Sequence, residues 1–310
     1  MKEFFILSCA ETDAGGGIYK CRITDNGRIG HIKYLPCAKP MYAVVNGNRL
    51  HVLLRSPFRS SVNSGYFSCK SDLSDCSEIK NTIGQCACHL AVDNDVYIAN
   101  YLSGNVVKNC EDFKKHMGCG VNAVRQEKAH THFVTFSPDK KYVLCCDLGL
   151  DTVFVYDRNL KPVSSEKVPD GYGVRHAVFS RDGKFLYSAN ELIPSVSVFG
   201  YGNGSLTYLK TVELFCGKEN STAAAIRLDE SKLYVSVREE NKIFVLQVNG
   251  EELKPEKTFA CGGDSPRDFD IIGNYIVCAN ENSDSVTVIE KTSGKLIDKI
   301  TVISPLNIVA

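Results

Sequence analysis

The sequence predicts an all-β protein folded as a closed propeller of seven four-stranded antiparallel blades, and three observations support this. A unit with the order strand, turn, strand, turn, strand recurs along the chain. Its copies start 42 to 49 residues apart, which is close to the length of one propeller blade. Residues alternate with a period of two in segments such as "TVFVY", "SVSVF" and "SVTVI", and no long stretch has a helical period. We therefore expect residues 1–310 to form a single domain.

The copies follow one another in chain order. The first unit, "FFILSCAETDAGGGIYKCRIT", lacks the strand expected ahead of its first strand. A degenerate copy and five clearer ones then start at Val44, Val92, Phe136, Phe179, Leu228 and Asp270. The C-terminal "DKITVISPLNIVA" supplies apolar strand material without a blade of its own. We expect the segment after Lys299 to pair with strands from the first 25 residues, because ring closure removes exposed sheet edges.

Composition narrows the classes of partner. The chain is 44% hydrophobic and 23% charged, with a formal net charge of zero. It therefore lacks the basic surplus typical of proteins that bind nucleic acid or anionic membranes. No segment is long and apolar enough for a transmembrane helix, and the N-terminal apolar run resembles a signal peptide only weakly. The fourteen cysteines are scattered through strand-like segments, which favours free thiols and a cytoplasmic location.

Polar residues cluster at one end of the predicted blades. The first two strands of a blade are antiparallel, so residues just before the first strand and just after the second lie at the same end. This rule places His132 with Asp147, and Arg175 with Glu191. It brings further polar residues to the same face: His176, Asn190, Arg238, Arg267, Asn280 and Glu281. At least four blades therefore contribute polar side chains to one face of the propeller.

Several segments carry a resemblance to a known family. They are "CHLAVDNDVYIANYLSGNV", "RQEKAHTHFVTFSPDKKYVLCCDLGLDTVFVY", "GVRHAVFSRDGKFLYSANELIPSVSVF" and "SPRDFDIIGNYIVCANENSDSVTVI". In order and spacing they resemble the seven-bladed lactonase family, whose best-known activity is 6-phosphogluconolactonase and which includes fungal carboxy-muconate lactonizing enzymes. The resemblance implies active-site roles for His130, His132, Arg175, His176 and Glu191. The chain departs from the family pattern in the sixth blade, where Ala225 replaces an acidic residue and Glu239 replaces the histidine that often follows the arginine.

The residue types in this cluster suit lactone hydrolysis, which needs a base, a group that stabilises the oxyanion, and a proton donor for the leaving ring oxygen. We predict that His132, Arg175 and Glu191 are catalytic, with His132 as base and Arg175 holding a carbonyl oxygen or carboxylate. Glu191 is the competing base, or else pairs with Arg175 and orients it. The predicted substrate-binding residues are His130, His176, Arg238, Arg267, Glu281, Arg125 and His89. We expect the catalytic residues to face a wet channel, so that replacing them changes the rate and leaves folding little affected.

Some of these residues also have a structural interpretation. A histidine ahead of a propeller strand can hydrogen-bond the backbone of a neighbouring blade, and this applies to His130 and His132. Asp147, Asn190 and Asn280 recur at equivalent positions, which favours a structural role in which a short polar side chain ties the turn after the second strand to the next blade.

The sequence gives no sign of a metal or an organic cofactor. The segment "CACH" at residues 86–89 lacks the second ligand pair that a zinc site needs. There is also no Gly-rich phosphate loop, nucleophile elbow or dinucleotide fingerprint. We therefore predict a metal-independent enzyme with no cofactor.

The resulting functional hypothesis is hydrolysis of an anionic sugar lactone, by default 6-phosphogluconolactone. Two alternatives remain. One is a lyase or cycloisomerase that forms or opens a lactone on a carboxylated diene. The other is a non-catalytic propeller that binds a ligand or a protein. The sequence does not indicate an oligomeric state.

Overall fold

The computed structural model describes residues 2–310 and confirms the predicted propeller of seven four-stranded antiparallel blades. Apart from three single-turn 3₁₀ helices at Thr12–Ala14, Leu148–Leu150 and Glu281–Ser283, its regular structure is β-strand. Within the described part of the chain, no helix is both long and apolar enough to cross a membrane.

Each blade is one sheet, and all but the first are built from consecutive strands. Blade 1 begins with β1 (Lys2–Ser8), β2 (Gly17–Ile23) and β3 (Ile29–Pro36). Blade 2 contains β4 (Pro40–Asn46), β5 (Arg49–Leu54), β6 (Gly65–Lys70) and β7 (Lys80–Asn81). Blade 3 contains β8 (Ala87–Val92), β9 (Val96–Asn100), β10 (Asn105–Lys108) and β11 (Asp112–Lys115). Blade 4 contains β12 (Thr131–Phe136), β13 (Tyr142–Asp147), β14 (Thr152–Asp157) and β15 (Pro162–Lys167).

The second half of the ring continues in the same way. Blade 5 contains β16 (Val174–Phe179), β17 (Phe185–Asn190), β18 (Ser195–Gly202) and β19 (Ser205–Glu213). Blade 6 contains β20 (Ala223–Asp229), β21 (Lys232–Val237), β22 (Lys242–Asn249) and β23 (Glu252–Ala260). Blade 7 contains β24 (Pro266–Ile272), β25 (Tyr275–Asn280), β26 (Ser285–Glu290) and β27 (Leu296–Thr301). The last strand, β28 (Pro305–Val309), belongs to blade 1.

The C-terminal strand closes the ring as the sequence predicts. Strand β28 pairs antiparallel with β1, with Ile308 opposite Ile6, and supplies the innermost strand that the first unit lacks. The predicted boundary is too early, because Ile300 and Thr301 still pair with β26 in the outer strand of blade 7. Closure therefore depends on one strand of five residues.

Apolar residues form seven clusters, one between each pair of neighbouring blades. The cluster between blades 5 and 6, for example, joins Val196 and Val198 of β18 to Ile226 and Val235 of blade 6. The remaining clusters join the other neighbours around the ring in the same way. Stability therefore comes from contacts between blades, while the inner ends of the blades are left to line a central channel.

Every blade has a β-bulge near the start of its innermost strand. An extra residue interrupts the pairing with the second strand, so that in β16, for instance, Val174 and His176 pair with Asn190 and Ala189 while Arg175 has no opposite residue. The interruptions leave these residues without a pairing partner: Met41, Cys88, His132, Arg175, Arg267 and Leu306, with Ala224 and Ala225 in blade 6. A bulge re-aims the side chain at its extra residue. Six of these bulged residues line the same cavity in the channel.

Candidate active site

Glu191 is the centre of the polar cluster. It directly follows β17, and its backbone N–H donates to Gly173 O at 2.8 Å, which fixes the turn after the second strand of blade 5. Its carboxylate accepts a hydrogen bond from Arg175 Nε at 2.7 Å and pairs with Arg238 Nη2 at 3.1 Å. Arg125, from the connection between blades 3 and 4, also donates to it. Three guanidinium groups from separate parts of the chain therefore surround one buried carboxylate.

The charge state of this group follows from its neighbours. Burial alone would raise the pKa of Glu191, but Arg238, Arg175, His132 and Arg125 together hold it well below the usual range. Burial lowers the pKa of Arg175 to about 10, against the opposing effect of Glu191, so the guanidinium remains charged at neutral pH. Glu191 is therefore ionised and fully engaged, which favours an orienting role over that of a base.

Arg175 is held from two sides. Its Nε contacts Glu191 in its own blade, and its Nη1 donates to Ala224 O of blade 6 at 2.8 Å. The sequence-based expectation of a wet environment is wrong for the three predicted catalytic residues, because His132, Arg175 and Glu191 are each at most 5% exposed. The bulges turn His132 and Arg175 inward, Glu191 directly follows β17, and the blades pack closely around all three side chains.

Three histidines lie next to one another in the channel. The ring centroids of His132 and His176 are 5.2 Å apart, and those of His89 and His176 are 5.3 Å apart. Burial, reinforced by nearby arginines, lowers the pKa of all three well below the usual range, so each is neutral at pH 7. His89 Nδ1 accepts a long hydrogen bond of 3.4 Å from Val134 N–H. His132 Nδ1 and His176 Nδ1 are buried without a hydrogen-bond partner in the described chain.

A largely enclosed cavity of about 20 Å³ lies beside the rings of His132 and His176. Its lining residues are Met41, Tyr42, Cys88, His132, Arg175, His176, Arg267, Asp268 and Leu306. Such a volume suffices for about one water molecule and is far too small for a sugar.

The mouth of the site is formed by side chains that are partly open to solvent. Arg267 donates to Glu281 at 3.2 Å, and these two side chains are 25% and 30% exposed. The Arg125 side chain is 38% exposed and that of Arg238 is 15% exposed. Arg238 Nε is buried without a hydrogen-bond partner in residues 2–310. Four of the predicted substrate-binding residues therefore stand where a ligand from solvent would first meet the protein.

His130 lies apart from this cluster. Its ring stacks on Tyr101 of blade 3, with centroids 4.4 Å apart and planes inclined by 16°. Its Nδ1 hydrogen-bonds Tyr101 O and its Nε2 hydrogen-bonds Glu127, both at 3.1 Å. These contacts match the structural interpretation of His130 as a link between blades 3 and 4.

The recurring short polar residues have different contacts from those we expected. Asp147 lies opposite Thr131, at the predicted end of the blade, but its carboxylate accepts from His130 N–H at 2.7 Å and contacts His116 Nδ1 at 2.6 Å. Asn190 and Asn280 donate to hydroxyl groups in the third strand of their own blades. The expectation that these residues tie a turn to the next blade is therefore wrong, because their partners lie in the same blade or in the connection leading into it.

A second polar group in the channel was missed from the sequence. Asp268 accepts from Arg227 at 2.9 Å and from Asn307 Nδ2 at 2.6 Å, and Asn307 in turn accepts from Ala43 N–H at 2.9 Å. The group links blades 6, 7, 1 and 2 at the point where the ring closes. Asp268 directly follows Arg267 in "SPRDF". An acidic residue next to an arginine of the predicted site could have indicated that Asp268 also lies in the channel.

No set of three potential metal ligands comes together within residues 2–310. Cys88 and His89 lie in β8, as the sequence suggests, and the Cys88 thiol contacts the carbonyl oxygen of His132 at 3.2 Å. All fourteen cysteines are free thiols in the structure.

Comparison with known proteins adds a family match and several relatives. A family model described as "Lactonase, 7-bladed beta-propeller" matches residues 4–304. An uncharacterized protein of Staphylococcus saprophyticus is 32% identical over 217 residues, which is 66% of this chain and 61% of the relative. An uncharacterized protein of Staphylococcus aureus is 33% identical over 215 residues, which is 65% of this chain and 63% of the relative. The match thus spans under two thirds of these curated relatives.

Solved structures resemble the chain over nearly its whole length. A protein from Lactobacillus plantarum has a TM-score of 0.89 and 26% identity, covering 99% of this chain and 98% of the other. The periplasmic gluconolactonase PpgL of Pseudomonas aeruginosa has a TM-score of 0.87 and 24% identity, with 99% and 98% covered. At the identity of the Pseudomonas protein, the likeness concerns the fold.

Proposed function

Because this chain belongs to the lactonase family of seven-bladed β-propellers, we propose that it hydrolyses the ring ester of an anionic sugar lactone at the Glu191 cluster. The observation that carries the proposal is the charge of the site. Four arginines, namely Arg125, Arg175, Arg238 and Arg267, face two carboxylates, those of Glu191 and Glu281. With the three histidines neutral, the cluster has an excess of two positive charges, which suits an anionic substrate.

The shape of the site supports a position for the substrate at its mouth. The inner cavity is too small for a sugar, so the lactone lies at the mouth, against the partly exposed arginines Arg125, Arg238 and Arg267. Only the carbonyl edge of its ring reaches inward to His132.

Each chemical requirement has a residue. His132, neutral at pH 7, acts as the base that takes a proton from water and returns it to the leaving ring oxygen. Arg238, whose Nε has no partner in the described chain, donates to the oxyanion that forms on the carbonyl. Glu191 holds Arg175 and Arg238 in place, so we assign it an orienting role.

The first substrate to test is 6-phosphogluconolactone. It is the substrate of the family's best-known activity, and its negative charge suits the cationic mouth. Unphosphorylated gluconolactone is the natural comparison, since the Pseudomonas protein of the same fold is named a gluconolactonase. The arginines at the mouth favour the phosphorylated lactone, because phosphate adds charge and oxygen acceptors that guanidinium groups bind well.

The experiment is a pH-stat assay with both lactones, corrected for spontaneous hydrolysis. We expect faster hydrolysis of the phosphorylated lactone. Arg267→Gln should raise its KM about tenfold and leave the KM of gluconolactone within about twofold, which is the loss of one charged contact. Arg28→Gln is the matched control, because Arg28 pairs with Asp298 on the outside of the propeller.

Two results would contradict the proposal. One is the absence of hydrolysis above the spontaneous rate for both lactones. The other is conversion of a carboxylated diene to its lactone, followed by ultraviolet absorbance, in an enzyme that leaves both sugar lactones intact; this would favour the lactonizing alternative.

A further inference from the structure

Two buried imidazole nitrogens in the channel lack a hydrogen bond within the chain. They are His132 Nδ1 and His176 Nδ1, on rings that are 5% and 4% exposed. Leaving a buried polar atom unpaired costs about 1–3 kcal/mol, so native proteins nearly always supply a partner. The third channel histidine differs, because His89 Nδ1 already accepts from Val134 N–H. Among the three channel histidines, the unmet hydrogen-bonding capacity therefore belongs to His132 and His176, whose rings are neighbours.

The space beside these rings matches the size of a water molecule. Both line the cavity of about 20 Å³, whereas His89 does not. A cavity holds a water when it offers at least about 10–15 Å³ and two to four polar partners. Of the other polar residues that line this space, Asp268 already accepts from Arg227, Asn307 and Ile308 N–H, and Arg175 and Arg267 have only donor groups. Among the residues that line the cavity, His132 Nδ1 and His176 Nδ1 are the buried side-chain atoms without a hydrogen-bond partner in the described chain.

Electrostatics indicate which way such a water is oriented. Arg175 and Arg267 also line the cavity, and their charges favour the lone pair of each neutral imidazole facing them over an N–H group. With both Nδ1 atoms as acceptors, a water between them donates both its hydrogens. Its own lone pairs then point away from the two rings.

We propose that one water molecule binds between His132 Nδ1 and His176 Nδ1, and that this water is the nucleophile, with His176 as its positioning residue. The inference rests on the proposed function and deepens it. The arginines at the mouth bind the lactone, whereas His132 and His176 hold the water that attacks it.

The water oxygen attacks the lactone carbonyl carbon while His132 Nδ1 takes one of its protons, which gives a tetrahedral oxyanion and an imidazolium. The oxyanion collapses, the bond between the carbonyl carbon and the ring oxygen breaks, and His132 returns the proton to that oxygen. The products are a hydroxyl group and a carboxylic acid, which releases its proton to solvent. His176 keeps its hydrogen bond to the second water hydrogen until the attack is complete.

The test compares variants at position 176 in the whole protein, by crystallography at high resolution and by lactone kinetics. His176→Phe keeps the ring shape and removes the acceptor, so we expect the water to be lost and kcat to fall about 10²-fold with KM within about twofold. His176→Asn places an amide near the position of Nδ1 and should retain the water. Its kcat should be at least about tenfold higher than that of His176→Phe. His89→Phe is the structural control, in which the water should remain.

The outcomes separate this inference from the proposed function. Wild-type enzyme that hydrolyses lactone without a water at this position would overturn the inference alone, as would a wild-type kcat in folded His176→Phe. Wild-type protein that hydrolyses no lactone would overturn the proposed function and the nucleophilic role together, whatever the crystal shows. Thermal unfolding of each variant checks that a lower kcat does not reflect a smaller folded fraction.

Discussion

Replacing Glu191 by glutamine removes the charge that three arginines share. The side chain keeps its size, and its carbonyl oxygen can still accept, but the second carboxylate oxygen becomes an NH₂ group that faces guanidinium groups, which also only donate. Arg125 and Arg238 are partly exposed, so water can solvate their guanidinium groups in the variant. Losing their ion pairs with Glu191 therefore costs little stability. Arg175 is 3% exposed and is left without a counter-ion. Breaking a buried ion pair on one side costs about 3–5 kcal/mol, so we expect the free energy of unfolding to fall by about that much.

The pH dependence of this loss has a definite sign. The pKa of Glu191 is depressed in the folded protein, so its contribution is complete above the unfolded value near 4.5 and declines as the pH falls from there toward the folded pKa. The difference between wild type and Glu191→Gln should therefore be constant from pH 5 to 8 and shrink below about 4.5. Urea unfolding across this range measures it.

Two matched variants sharpen the same experiment. Glu281→Gln removes a partly exposed partner of Arg267 and should cost less than about 1 kcal/mol. The double variant Arg175→Met with Glu191→Gln removes both charges and should be more stable than Glu191→Gln alone, because no unpaired cation is left. A Glu191→Gln protein within 1 kcal/mol of wild type at pH 7 would refute the assignment of Glu191 as the counter-ion of a buried arginine.

Three other predictions concern ring closure, metal dependence and the cysteines. Deleting residues 305–310 removes the buried side chains of Leu306, Ile308 and Val309, worth about 1.5–3 kcal/mol each, so the melting temperature should fall by more than 10 °C; an unchanged melting curve would contradict ring closure by β28. Exhaustive chelation with EDTA should leave lactone hydrolysis unchanged, and activity lost to EDTA and restored by one divalent ion would show the opposite. Titration with a thiol reagent should detect close to fourteen thiols in denaturant, but in native protein only the exposed Cys76 and Cys119 should react rapidly.

The blades could be predicted from the sequence because each repeats one local pattern. Period-two alternation and turn residues act within a single copy, and the spacing of copies then sets the blade length. Closure was predictable too, since the first unit lacks a strand and the C-terminus supplies one. The second blade was harder to recognise because its outer strand, β7, has two residues and a long connection precedes β6.

The site was only partly predictable, because the bulges change which way side chains point. In "AHTH" strict alternation would place His130 and His132 on the same face. The bulge at His132 instead turns that ring toward the channel, while His130 stacks on Tyr101. The burial of His132, Arg175 and Glu191 could not be predicted either, because residues at strand ends are usually exposed to solvent and these three are buried.

The identity of the bulged residue gives the channel its two unlike sides. Blades 4, 5 and 7 have His132, Arg175 and Arg267 at the bulge, whereas blades 1 and 2 have Leu306 and Met41. The apolar residues belong to a core cluster between blades 2 and 3, so changing them disturbs packing. The polar ones make hydrogen bonds and ion pairs instead: Arg175, for example, pairs with Glu191 in its own blade and donates to Ala224 O of blade 6. One position in each of a few blades therefore sets the chemistry of the channel, while the apolar contacts between blades are made mainly by other positions.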